Sequence, residues 1–236
     1  MDFLTVNYEI QESILKSFDA IANKISKDII LKINNANYRI VDFEFYTFSE
    51  KKFSDPHTYK HDLQLQNCKL YLHSSGIDIT FGDGVNYGGI LLRSVIKLHD
   101  GSTQESGFMK EQFNGPQIVA TELFSNFNAL DGNEKNEISI IDIQGHHQDT
   151  QFYPAIDLIK TKRVGLTPKS NDKDDFYKKL QLRYIAILPK FPVFKQNLKG
   201  IEGILGEKVI AGEITASKAT EISIKILGYR KNYDGL

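Results

Sequence analysis

The 236-residue chain contains no tryptophan and a single cysteine, Cys68. A lone cysteine excludes an internal disulfide and a cysteine-built metal cage, so a reducing, cytoplasmic compartment is the expectation. No stretch approaches 18 consecutive apolar residues, which leaves no candidate for a transmembrane helix and no reason to expect a membrane partner. The opening MDFLTVNYEIQES carries acids but no basic residue, so a signal peptide is not expected. Neither sign of charge is in excess: 29 basic residues face 30 acidic ones. Binding to a phosphate backbone would therefore need a local basic face, because the molecule as a whole offers phosphate no attraction. Apolar bulk is what the chain does have. Hydrophobic residues make up 41%, with 15 Phe and 11 Tyr, which suits one sizeable core and argues against wholesale disorder.

Ile10, Ile14, Leu15, Phe18, Ile21, Ala22 and Ile25 recur at helical spacing, so 9–27 reads as an amphipathic helix. Strands follow at 28–33 and 38–46 around an Asn-rich turn, at 69–73 and 77–81 around Ser74-Ser75-Gly76, and at 90–98. Residues 47–68 read as irregular, with Asp55-Pro56 as a breaker, and 99–115 as polar loop. Pro116 suits the first turn of a helix reaching to about residue 128. Further strands are expected at 137–143 and 180–188, with a Lys- and Asp-rich loop at 168–179. In the tail beyond 189, KVIAGEI (208–214) and ISIKIL (222–227) read as strand-like. No repeat or linker divides the chain. The expectation is one α+β domain over 1–236, built on a curved, largely antiparallel sheet flanked by helices, and a monomer.

Strict alternation along 38–46 would place Arg39, Val41, Phe43 and Phe45 on one face and Tyr38, Ile40, Asp42, Glu44 and Tyr46 on the other. The second face is either a solvated outer surface or a carboxylate beside an aromatic platform, able to act as a general base. Arg93 interrupts an otherwise apolar strand; buried, it must be paired, as a structural ion pair or as a ligand contact. His57 and His61 stand four apart, but Asp55-Pro56 argues against the helix that would align them on a metal. His146, His147 and Asp149 form a polar cluster that is more simply an exposed loop than a metal site. The glycines of GDGVNYGG (82–89) precede a strand instead of opening a helix, so neither a dinucleotide fingerprint nor a Walker loop is present. No metal and no cofactor is expected.

The order of the segments resembles the alkyladenine (3-methyladenine) DNA glycosylase family. AIANKISKDIILKI (20–33) is similar to that family's helix-into-strand opening, and RIVDFEFY (39–46) to its strand of form R-I-V-E-x-E-A-Y. Asp55 and His57 stand where the family has an acid and a histidine. KLYLHSSGIDITF (69–81) is similar to its hairpin, GILLRSV (89–95) to its V-L-L-R-A strand, and NGPQIVATELF (114–124) to its G-P-x-x-L-x-x-A-L helix. KRVGLT and LQLRYI, within 162–185, are similar to its closing segments. The likeness runs from about 18 to 187 and leaves 189–236 as an unplaced extension.

The resemblance implies hydrolytic removal of alkylated or deaminated purines in base excision repair, without a metal. It implies Glu44 as the general base that activates water, Tyr46 and His73 stacking on the base, His57 contacting it from the loop, and Arg93 near the water and phosphate. Ser74-Ser75-Gly76 stands where the family wedges an aromatic side chain into the duplex, so this chain reads as a divergent member. Three functions follow from these residues: a glycosylase acting on damaged DNA, a hydrolase of the same fold acting on a nucleoside-like ligand, and a non-catalytic relative that binds a ligand or partner. A DNA-binding version needs basic residues about the cleft; Lys51, Lys52, Lys60, Lys162, Arg163, Lys169, Lys178 and Lys179 are the candidates.

Overall fold

The computed structural model describes residues 2–98, 111–125, 127, 128, 130, 136–143, 155, 157–168, 174–188, 200–227 and 229–236. Helix α1 (Gln11–Asp28) runs directly into β1 (Ile29–Ile33), followed by β2 (Ala36–Ser49) and the short β3 (Phe53–Ser54). A hairpin of β4 (Asn67–His73) and β5 (Gly76–Phe81) leads to β6 (Tyr87–Leu98), β7 (Gln112–Asn114) and α2 (Pro116–Phe124). Then come β8 (Ile138–Asp142), β9 (Asp157–Thr161), α3 (Asp174–Lys179) and β10 (Arg183–Ile187). Two helices, α4 (Ile201–Ile210) and α5 (Ala216–Leu227), complete the chain. The fold is mixed α+β, and among the described residues every strand pairing is antiparallel.

The sheet runs β4-β5-β6-β2-β1-β8 and branches at β2, which also pairs with β10, itself paired with β9. One edge of β2 pairs with β6 along its length. The other edge takes β1 at 36–39 and β10 at 42–44. Where the partner changes, the register with β6 shifts between Ile40 and Asp42 and again between Asp42 and Phe43. Such a bulge inserts an unpaired residue and breaks the two-residue parity. Tyr38, Ile40, Phe43 and Phe45 consequently enter the same core, while Val41 packs in a different cluster with Ile96 and Ala186. Strict alternation therefore fails between 38–40 and 43–46: Tyr38 and Ile40 are core residues and do not accompany Glu44.

The principal core lies between α1 and the sheet. Ile14, Phe18, Ile21, Ala22 and Ile25 form the buried face of α1, and Phe18 stacks on Phe45 with centroids 4.4 Å apart. A second cluster joins Ile201 and Leu205 of α4 and Ala219, Ile222 and Ile226 of α5 to Ile159, Ile185 and Ile187. Strand β10 is thus packed on both faces, Tyr184 to the main core and Ile185 and Ile187 to the C-terminal helices. ISIKIL and the first three residues of KVIAGEI are accordingly helical, and the rest of KVIAGEI is turn, against the strand reading. ISIKIL alternates locally, yet Ala219, Ile222 and Ile226 recur at three and four, and that period is the one buried. The Lys- and Asp-rich segment holds α3, β3 and β7 arise where irregular chain and loop were read, and β9 falls where no element was read. No helix among the described residues is long and apolar enough to cross a membrane.

Candidate functional site

Strand β2 delivers Glu44 and Tyr46, β6 delivers Leu91 and Arg93, and β5 delivers Asp78, which pairs with Leu91 on one side and Tyr71 on the other. Their flanking residues Phe43, Phe45, Ile77, Ile79, Ile90 and Leu92 all enter the α1 core, so these side chains project from the opposite face. Residues of the loop 56–59 and of the segment 164–167 close over that face and complete a cavity of about 300 Å³. Tyr46, His57, His73 and Arg93 line it together. Glu44 does not. It lies behind the cavity wall, 0% exposed, joined to it through Tyr46 and Arg93.

Both Glu44 oxygens are engaged. Oε1 accepts a hydrogen bond from the Val164 backbone N–H at 3.0 Å and sits 3.3 Å from Arg93 Nη1. Oε2 accepts from the Tyr46 hydroxyl at 2.8 Å. Burial raises the Glu44 pKa above the ordinary carboxylate value; Arg93, the Val164 amide and the Tyr46 hydroxyl pull it back, and Asp42 adds to the rise. The Tyr46 phenol is held upward as well, by burial first and the Glu44 charge second, so it stays an un-ionised donor.

Beneath the wall runs a chain of buried charges. Arg183 donates to both Asp42 oxygens, Nε to Oδ1 at 2.9 Å and Nη2 to Oδ2 at 2.7 Å, and Arg93 Nε lies 4.0 Å from Asp42. Arg163 pairs with Asp55 at 2.6 Å, both side chains fully buried, and donates to the Phe45 carbonyl. The same guanidinium lies 4.5 Å from the Tyr46 ring centroid, a cation–π contact that holds the ring from behind. The polar face of β2 is therefore not a solvated surface. Asp55 Oδ1 also accepts the His57 backbone N–H, which ties the loop over the cavity to this network.

Four rings form a ladder at one side of the cavity: His61, Tyr71, His73 and Tyr59, with successive centroids 4.5, 4.9 and 4.8 Å apart. His61 stacks on Tyr71 and its Nδ1 accepts the Leu63 N–H, so His57 and His61 make no helical metal pair. His146, His147 and Asp149 lie outside the described residues. Among the described residues, no group of three or more His, Cys, Asp or Glu is placed to hold a metal.

The glycine-rich stretch has a packing role. A Cβ at Gly88 would collide with the Phe81 ring, and one at Gly89 with the Asp78 carboxylate and the Gln64 amide. Of the basic candidates, Arg163 is spent on Asp55. Lys51, Lys52, Lys60 and Lys162 are exposed, with Lys60 over the Phe48 ring, and none of them lines the cavity. Lys178 and Lys179 end α3 and do not line the cavity, and Lys169 lies outside the described residues.

Among the lining residues that the sequence reading did not name as site residues are Thr58, Tyr59, Gln64 and Asp78. Asp78 had a signal of the same kind as Arg93, a charge in the middle of an apolar strand, IDITF. Thr58 and Gln64 sit in a segment without periodicity and had none. No protein-family model matches the chain, and no curated protein matches it.

Proposed function

We propose that the protein is a glycosylase-like hydrolase that holds a purine-type base in this cavity and cleaves the N-glycosidic bond joining it to a sugar. One observation carries the reading: Tyr46 and Arg93 line the cavity, and both contact the same buried carboxylate, that of Glu44. A cavity of about 300 Å³ is at the small end for organic ligands. The rings of Tyr46, Tyr59, His57 and His73 offer it flat surfaces, the shape a heterocycle stacks on.

In this mechanism water adds to the anomeric carbon as the carbon–nitrogen bond breaks, and the base leaves with the bonding pair. The proton of the water goes to Glu44. Because the Tyr46 O–H already donates to Glu44, its oxygen is free to accept from water in the cavity, so the phenol passes its own proton on as it takes the new one. Arg93 opposes the upward push of burial on Glu44 and faces the cavity, where it suits a phosphate or hydroxyl of the substrate. The substrate class is a damaged purine in DNA. Among the described residues no lysine lines the cavity, which favours single-stranded or nucleoside substrates over a duplex.

A second reading, a non-catalytic binder of nucleoside-like ligands, is favoured by the complete burial of Glu44. The test is base release by the full chain from single- and double-stranded oligonucleotides carrying 3-methyladenine or hypoxanthine, and from the corresponding nucleosides. Release that disappears in Glu44→Gln and is indifferent to EDTA supports hydrolysis. Nucleoside binding without release from any substrate replaces it with the binder. Release that persists in Glu44→Gln means that the general base is another group.

A further inference from the structure

Four carboxylates are buried around the cavity, and three of them face an arginine: Asp42 with Arg183, Glu44 with Arg93, Asp55 with Arg163. Asp78 is the exception. It is 2% exposed and, among the described residues, has no arginine or lysine within ion-pair distance. Its neighbours are His73, whose Nε2 lies 3.0 Å from Oδ1, and Gln64, whose Nε2 donates to Oδ2 at 3.0 Å. The Ser75 backbone N–H donates to His73 Nδ1 at 3.2 Å, so that nitrogen carries no proton. Nε2 is then the ring nitrogen that donates to Asp78. Both neighbours bring Asp78 a donor, and neither is an arginine or a lysine.

A carboxylate has about four acceptor positions, and two are used here. Asp78 lines the cavity beside Leu91 and Pro116, where an unsatisfied acceptor is costly. Its place is fixed from behind: Gly89 leaves room for Asp78 and Gln64 that any side chain would fill. A second group in the wall has the same need. Thr58 Oγ1 is buried and has no hydrogen-bond partner among the described residues.

We infer that Asp78 selects the ligand: the cavity takes a purine whose edge carries N–H donors, above all the adjacent ring N–H and amino group of a guanine-type base. The inference rests on the purine reading of the cavity. Two side-by-side donors match two carboxylate oxygens, a pairing that a donor-free purine cannot make. A purine without them leaves the carboxylate short of donors, and sites built on such bonds discriminate strongly against analogues that lack the group.

The experiment is calorimetric titration of the full chain with guanosine, adenosine and purine riboside, which carry a ring N–H with an amino group, an amino group alone, and no base N–H donor. Affinity should fall in that order, by about tenfold or more from first to last. In Asp78→Asn, which keeps the shape and removes the charge, the gap should shrink. Should that variant fail to fold, the order within the unaltered protein still decides. Equal affinity for all three nucleosides overturns the selection by Asp78 and leaves the purine site standing. No binding of any of them overturns the purine site itself, and the inference with it.

Discussion

On one face of β2, Phe43 and Phe45 are wholly buried against Phe18 and Tyr184; on the other, Glu44 is just as completely buried, but against Arg93, Tyr46 and a backbone amide. The aromatic face gains from area and close packing, and many arrangements of apolar groups would serve it about as well. The polar face is a set of pairings, each with one correct partner. A buried pair contributes little net stability over an apolar pair of similar volume, whereas half of a pair is severely destabilising. Stability on the two faces should therefore respond differently to a second substitution.

The largest effects test that difference directly. Arg163→Met leaves the fully buried Asp55 carboxylate without its charge partner and should cost about 3–5 kcal/mol in denaturant unfolding. Phe45→Ala should cost about 3–5 kcal/mol on the opposite face, from lost transfer energy and the cavity left behind. Adding Asp55→Leu to Arg163→Met should recover much of the first loss. Adding a second truncation beside Phe45, such as Phe18→Ala, should deepen the other. A double variant Asp55→Leu with Arg163→Met that is no more stable than Arg163→Met alone would break the comparison.

The same contrast explains what could be read from the sequence. Apolar periodicity is a local signal, and it located α1, β1, β2, β4, β5, β6 and α2 to within a few residues. The bulge at Asp42 was invisible, because it is set by β2 exchanging β1 for β10, a partner some 140 positions away. The C-terminal helices were misread because isoleucine-rich segments satisfy a two-residue period over six positions and a helical one over ten. In the site, Glu44, Tyr46, His57, His73 and Arg93 were named from resemblance, and they do converge. That Glu44 lies behind the cavity wall, and that Asp78 stands in it, depends on long-range pairings that no local pattern encodes.

A smaller effect is expected where the two faces meet the glycine-rich stretch. Gly89→Ala drives a methyl group into the Asp78 carboxylate and the Gln64 amide, a collision relieved only by moving a hydrogen-bonded pair. Overpacking of this kind costs about 1–3 kcal/mol. Gly84→Ala, in an exposed turn where a Cβ meets nothing, is the control for backbone effects, since its φ of 89° makes alanine unfavourable without touching the cavity. If the Gly89 variant loses nucleoside binding and the Gly84 variant keeps it, close approach is what position 89 supplies. Equal loss in both would mean that the stretch acts through its backbone alone.

The smallest effect is a pH dependence that only the polar face can have. Burial raises the Glu44 pKa in the folded protein above its ordinary value of 4.5. Between those two values the unfolded chain has released the proton and the folded chain retains it, so stability falls as pH rises. The contribution is fully present below the ordinary carboxylate value and is lost as pH climbs through the raised one. Glu44→Gln cannot titrate and should lack this slope. Thermal melts of both proteins at pH 5 and pH 8 isolate it, because other titrating groups are common to the two. The wild-type Tm should drop relative to the variant across that interval. Parallel melting profiles would mean that Arg93, the Val164 amide and the Tyr46 hydroxyl fully offset burial and that Glu44 is already ionised in the folded protein at pH 5. Glu44 would then be a more accessible proton acceptor than its burial implies.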